Sequence, residues 1–136
     1  LIHNEDQDNP FLTNDFASAI ELSDDPRLLN RILPLTPDFA VRIIPDLNAR
    51  ERQNDLSFSA FRYKRKYLTG IAIRKINTAL AQCGEKLVFF RDKSEWIRRF
   101  LGRNSNFWIE PLTTQIPMGS GFMNVSTMRI QRKVTD

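Results

Sequence analysis

The sequence predicts an α+β fold, with two short N-terminal helices followed by a mixed or antiparallel sheet and two packed helices. Apolar residues recur at three- and four-residue steps in residues 10–20 and 26–33, whereas residues 39–44 alternate as in a strand. The longest apolar stripe of helical period lies in residues 68–83. Because the length of 136 residues is that of one ordinary domain, we expect residues 1–136 to form a single domain.

The N-terminal half opens with residues 1–9, which are polar and acidic and are expected to be frayed. Pro10 and Pro26 suit the first turns of the two short helices that follow. The alternating segment after them is bounded by Pro37 and Pro45. A strand bounded by prolines is predicted to lie at the edge of a sheet.

The C-terminal half follows a polar stretch at residues 46–55, which is expected to be a loop or hinge. A strand is predicted over residues 57–66, and a helix from Tyr67 to Cys83, with Gly84 as a left-handed C-cap. The remaining predicted elements are a short buried strand at 86–91, a helix from Asp92 to Gly102, a strand at 106–110, a turn at 118–121 and a last strand at 122–134. Asp92 and Glu95 form a capping-box-like start of that helix, which is expected to direct Trp96, Ile97, Phe100 and Leu101 inward.

The charge is divided between the two halves of the chain. Residues 1–55 carry five basic and eleven acidic residues, for a net charge of −6. Residues 56–136 carry fifteen basic and five acidic residues, for a net charge of +10. A basic surface attracts polyanions or acidic proteins, so this half is the candidate binding region.

The residues that catalysis requires are scarce. The single histidine, His3, lies in the stretch expected to be frayed, and the single cysteine, Cys83, falls on an apolar helical stripe and is expected in the core. One cysteine permits neither an internal disulfide nor a multi-cysteine metal site. We therefore expect no enzymatic activity, no cofactor and no metal.

Aromatic and basic residues alternate from Phe61 to Tyr67. Exposed rings beside cations can stack on bases while the cations follow the phosphates. Alternatively, the rings belong to the core and the lysines solvate an edge strand. The candidate nucleic-acid-binding residues are Arg62, Tyr63, Lys64, Arg65, Lys66, Arg74, Lys75, Arg98, Arg99, Arg103, Arg132 and Lys133.

The favoured function is a nucleic-acid-binding domain that contacts the phosphate backbone of DNA or RNA without strong sequence readout. The alternative is a protein-protein interaction domain of a multi-subunit assembly, with an acidic protein surface as the other candidate ligand and Phe107, Trp108 and Ile109 as anchors. Because the chain begins with Leu1, we expect it to be part of a larger protein. We expect no membrane association and an intracellular location, in the cytoplasm or the nucleus.

Overall fold

The structure is a computed structural model, and it describes residues 1–23, 28–45 and 62–133. No helix among them is both long and apolar enough to cross a membrane. In chain order, the elements of these residues are β1 (Ile2–Asn4), β2 (Thr13–Asn14), β3 (Ala19–Leu22), β4 (Leu29–Thr36), β5 (Phe39–Ile43), β6 (Lys66–Leu68), α1 (Gly70–Cys83), β7 (Val88–Phe89), α2 (Glu95–Asn104), β8 (Phe107–Met118) and β9 (Gly121–Arg132).

A five-stranded sheet with the strand order β3-β4-β5-β1-β6 forms the centre of the described fold. Its neighbouring strands are antiparallel except β1 and β6, which are parallel, so the sheet is mixed and the α+β class is confirmed. The predicted edge position of β5 is wrong, because β5 pairs with β4 on one side and β1 on the other. Pro37 and Pro45 lie outside the strand and therefore remove no hydrogen bond from its ladder.

The first residues of the chain lie inside this sheet, so the expectation that residues 1–9 are frayed is wrong. Ile2 is buried and pairs with Lys66 of β6 as well as with β5. The Leu1 ammonium group donates to the Lys64 carbonyl at 2.8 Å, and the Lys66 N–H donates to the Leu1 carbonyl at 2.9 Å. These partners are distant in sequence, and such pairing leaves no signal in the composition of a three-residue strand.

Neither predicted N-terminal helix forms within the described residues. Residues 10–20 contribute β2 and the start of β3, and the described part of the second prediction, residues 28–33, belongs largely to β4. Asn14 Oδ1 accepts hydrogen bonds from the N–H groups of Phe16 and Ser18, at 3.0 and 3.2 Å. Such local bonds compete with helical ones, and short apolar runs fit either period, so pairing with neighbouring strands decides the outcome.

Helix α1 covers one side of the sheet. It begins at Gly70, three residues later than predicted. Gly84 follows it with φ −72°, so the predicted left-handed C-cap is wrong. A Cβ at Gly84 would lie 3.2 Å from the Cβ of Asn14, so a side chain at this position would crowd Asn14. The buried cluster that joins α1 to the strands consists of Ile2, Phe11, Ala19, Ile20, Ile32, Ala40, Ile73, Ile76, Leu80 and Cys83.

The elements after α1 differ from the prediction at their ends. The strand expected at residues 86–91 is only the two-residue β7. Helix α2 has Ser94 at its N-cap position, so Asp92 does not start it. The helix also continues beyond Gly102, since a glycine costs a helix interior only about 1 kcal/mol relative to alanine.

The strands β8 and β9 form a long hairpin, which we call the ribbon. They pair without a register shift from Phe107 opposite Arg132 to Met118 opposite Gly121, so the predicted turn is confirmed. The expectation that the first strand ends before Pro111 is wrong. Among the described strands β8 pairs on one edge only, and such a strand tolerates proline.

Candidate nucleic-acid interface

Three of the candidate cations line one cleft between α1, α2 and the loop that follows β1. The cleft has a volume of about 810 Å³. Arg74 comes from α1, and Arg99 and Arg103 come from α2. The other lining residues are Asp8, Asn9, Glu95, Trp96, Phe100 and Asn104. We call this site the arginine cleft.

Helical spacing explains how α2 supplies most of the arginine cleft. Trp96 and Phe100 are four residues apart, as are Arg99 and Arg103, so the members of each pair lie on one helix face. The two rings pack edge to face, with their centroids 5.6 Å apart. Ile97 is buried and fixes the helix against the body of the domain.

The described residues of the arginine cleft carry a small net positive charge. Arg74, Arg99 and Arg103 form no ion pair with any carboxylate of the described residues. Asp8 and Glu95 also line the cleft, so among the described lining residues three guanidinium groups face two carboxylates. Unpaired guanidinium groups can hold a phosphate through two parallel hydrogen bonds, and the neighbouring rings offer surface for a base.

Two further candidate cations lie near α1 and α2 but outside the arginine cleft. Lys75 on α1 and Arg98 on α2 are exposed, and neither lines the cleft. Lys75 directly follows Arg74, and Arg98 directly precedes Arg99. Because adjacent residues of a helix point about 100° apart, Lys75 and Arg98 point away from the cleft that their neighbours line. The helices therefore bring three of their five candidate cations together.

The two candidate cations nearest the C-terminus lie at the base of the ribbon. Arg132 and Lys133 line a second cleft of about 850 Å³, together with Lys86 and Glu85. Trp108, one of the anchors expected from the sequence, lies in the same cleft and is 41% exposed. This cleft also combines an aromatic ring with cations, but no described residue lines both this cleft and the arginine cleft.

The remaining candidates lie in residues 62–66, which we call the basic segment and which runs into the edge strand β6. Only Lys66 of this segment is in a strand, so the strand predicted over residues 57–66 is largely wrong within the described residues, and its part up to residue 61 lies outside them. Tyr63 is 72% exposed and Tyr67 is 58% exposed, so neither ring belongs to the core. The polar stretch 46–55 also lies outside the described residues.

Cys83 is confirmed as a core residue. Its side chain is buried in the cluster under α1, and its Sγ accepts a hydrogen bond from the Ile20 N–H at 3.4 Å. Burial raises the pKa of the Cys83 thiol, which outweighs the opposing effect of that hydrogen bond. The thiol therefore stays protonated at neutral pH and is a poor nucleophile.

Sequence reasoning did not include Trp96 and Phe100 in the binding surface. Both were expected to point into the core with Ile97, whereas only Ile97 is buried and the two rings line the arginine cleft. The sequence did contain a signal for this placement. Each ring lies within three residues of an arginine, on a helix with a strongly basic face.

We also compared the chain with known proteins. It has no match among protein-family models, among curated proteins or among solved structures.

Proposed function

We propose that the chain is a non-catalytic nucleic-acid-binding domain that contacts the phosphate backbone through its basic C-terminal half. The observation that carries the proposal is the arginine cleft, where Arg74, Arg99 and Arg103 line one surface without a carboxylate partner among the described residues. Cations that converge in a cleft beside aromatic rings bind phosphates better than the same cations scattered over a surface.

Backbone contacts of this kind carry little sequence information, so we expect similar affinities for oligonucleotides of different sequence. Each phosphate that an arginine neutralises releases bound counterions, and the affinity therefore falls as salt rises. The test is fluorescence anisotropy with labelled oligonucleotides at about 50 mM and about 200 mM salt. A steep loss of affinity is expected, and equal affinity at both concentrations contradicts the proposal.

The second candidate is a protein-protein interaction domain of a multi-subunit assembly, and the distal ribbon favours it. Residues 111–128 contain no charged residue. Leu112, Ile116, Phe122 and Met123 are exposed along them. A two-stranded ribbon is marginally stable alone in water, and additional strands or packing stabilise it.

The surface that best fits an uncharged ribbon is another uncharged ribbon, because a charged partner would be desolvated without an opposite charge. This candidate therefore predicts pairing of two ribbons across a two-fold axis. Sedimentation velocity over a range of concentrations tests it, with a triple variant Leu112→Ser, Ile116→Ser and Met123→Ser. Association of the natural chain but not of the variant supports pairing of two ribbons, and a monomer at every concentration contradicts that pairing.

A further inference from the structure

Three rings form a row across neighbouring strands of the central sheet. His3 of β1 lies directly opposite both Phe39 of β5 and Tyr67 of β6 in the sheet register. The His3 and Tyr67 rings are stacked, with centroids 5.0 Å apart and an interplanar angle of 23°. The His3 and Phe39 rings are also 5.0 Å apart, at 59°. We call these residues the aromatic row.

The aromatic row lies on the side of the sheet opposite to α1. Successive side chains of a strand point to opposite sides, and the preceding residue of β1, Ile2, is buried in the core cluster with Ile73 and Ile76 of α1. Exposure increases toward the sheet edge, where Tyr67 is more than half exposed while His3 and Phe39 are half-buried. The outermost ring therefore offers a flat face to a ligand.

The basic segment is fixed beside the aromatic row. The two backbone hydrogen bonds between Leu1 and Lys64 or Lys66 attach it to the start of β1, and Tyr67 follows it directly. Its cations are exposed, and none forms an ion pair with a described carboxylate. These cations are Arg62, Lys64, Arg65 and Lys66.

A ring exposed at a sheet edge can stack on bases that are free of their own helix, whereas the bases of a duplex are already stacked and paired. Cations that continue the line of such rings follow the phosphates of the same strand. The combination of an exposed ring at the sheet edge, Tyr67, with an adjoining basic segment is thus suited to a single strand rather than to a duplex.

We propose that the aromatic row and the basic segment bind single-stranded nucleic acid, with a base stacked on Tyr67 and the phosphates along residues 62–66. This inference rests on the proposed function and narrows its ligand class. DNA and RNA share the chemistry that the site recognises, since every base has a stacking face.

The test measures anisotropy of labelled single strands of deoxythymidine and of uridine, and of a duplex of equal length, at one salt concentration. We expect the natural chain to favour both single strands over the duplex. Tyr67→Ala should weaken single-strand binding about tenfold, because stacking on one ring contributes about that factor. Tyr67→Phe retains the ring and should bind within about twofold of the natural chain. Phe89→Ala, an exposed ring of β7 that lines neither cleft, is the matched control and should have no effect.

Tyr67→Leu keeps apolar bulk on the sheet without a flat face, and it should bind as weakly as Tyr67→Ala while melting like the natural chain. A preference for duplex, or single-strand binding that Tyr67→Ala and Tyr67→Leu leave unchanged, overturns the inference. In those cases a steep salt dependence still supports the proposed function. Absence of binding to every oligonucleotide overturns both. Weaker binding of either labelled strand by Tyr67→Ala and Tyr67→Leu supports stacking, and comparison of the two strands shows which of them the site prefers.

Discussion

The backbone N–H of Leu12 donates a hydrogen bond to Asn77 Oδ1 at 3.0 Å, and both residues are almost fully buried. Asn77 Nδ2 also donates to the Pro10 carbonyl at 2.9 Å. One side chain of α1 therefore satisfies two backbone groups of the segment that leads into β2. This segment bears Asp8 and Asn9 on the arginine cleft, so the asparagine also positions part of the candidate site.

Asn77→Leu should destabilise the fold by about 3 kcal/mol, because a side chain of similar size leaves two buried backbone groups without partners. Urea unfolding monitored by circular dichroism measures this loss. Lys75→Ala on the exposed side of the same helix is the control and should change the free energy of unfolding by about 0.5 kcal/mol or less. Equal stability of the two variants would show that the buried amide contributes nothing.

Asp6 makes the stability of the fold depend on pH in the acidic range. The Asn9 side-chain amide donates to its carboxylate at 2.9 Å, and the Gly70 N–H at the start of α1 donates at 3.1 Å. These hydrogen bonds lower the pKa of Asp6, and the bond from the Asn9 amide has the largest effect. Partial burial acts in the opposite direction and is outweighed. A lowered pKa in the folded state means that the stabilisation is complete above the unfolded pKa of about 3.9 and is lost as pH falls through the folded value.

Asp6→Asn should therefore reduce the free energy of unfolding at about pH 6 and reduce it by a smaller amount near pH 2, because the natural carboxyl group takes up protons as the pH falls toward its lowered pKa. Urea unfolding at the two pH values checks this prediction. Asp8→Asn is the matched control, because the Asp8 carboxylate accepts no hydrogen bond from the described residues. A loss of equal size at both pH values would refute a role for the ionised carboxylate.

Glu95 reduces the positive charge of the arginine cleft that it lines with Arg99. Replacing it with glutamine should tighten oligonucleotide binding by a factor of about two to five at low salt, since a nearby carboxylate repels phosphate. Anisotropy titrations of Glu95→Gln measure the change. Glu5→Gln removes an exposed carboxylate that does not line the cleft, and its effect should be smaller. Weaker binding by Glu95→Gln would contradict the assignment of phosphate to this cleft.

The long helix was predictable from the sequence because its signal is local. Ile76, Leu80 and Cys83 repeat at helical spacing and are buried as expected. Gly119, with φ 59°, lies in the hairpin turn that the glycine-rich segment 118–121 predicts. Such features depend on residues close in the chain, which a single sequence contains.

Features that depend on distant pairing could not be predicted. The position of His3 in a sheet requires β5 and β6, neither of which is near it in sequence. The same holds for the arginine cleft, where Arg74 meets Arg99 only through the packing of two helices. The candidate cations were identifiable as a class, but which of them converge depends on tertiary contacts.

The central claim is that the arginine cleft holds phosphate. Its most direct test compares the salt dependence of oligonucleotide binding for the natural chain, for a double variant Arg99→Gln and Arg103→Gln, and for Arg98→Gln, the exposed neighbour outside the cleft. Each lost phosphate contact should reduce the magnitude of the slope of log affinity against log salt by about 1. The slope of the double variant should therefore be smaller by about 2, and the slope of Arg98→Gln should be almost unchanged. Identical slopes for the natural chain and the double variant would contradict the account.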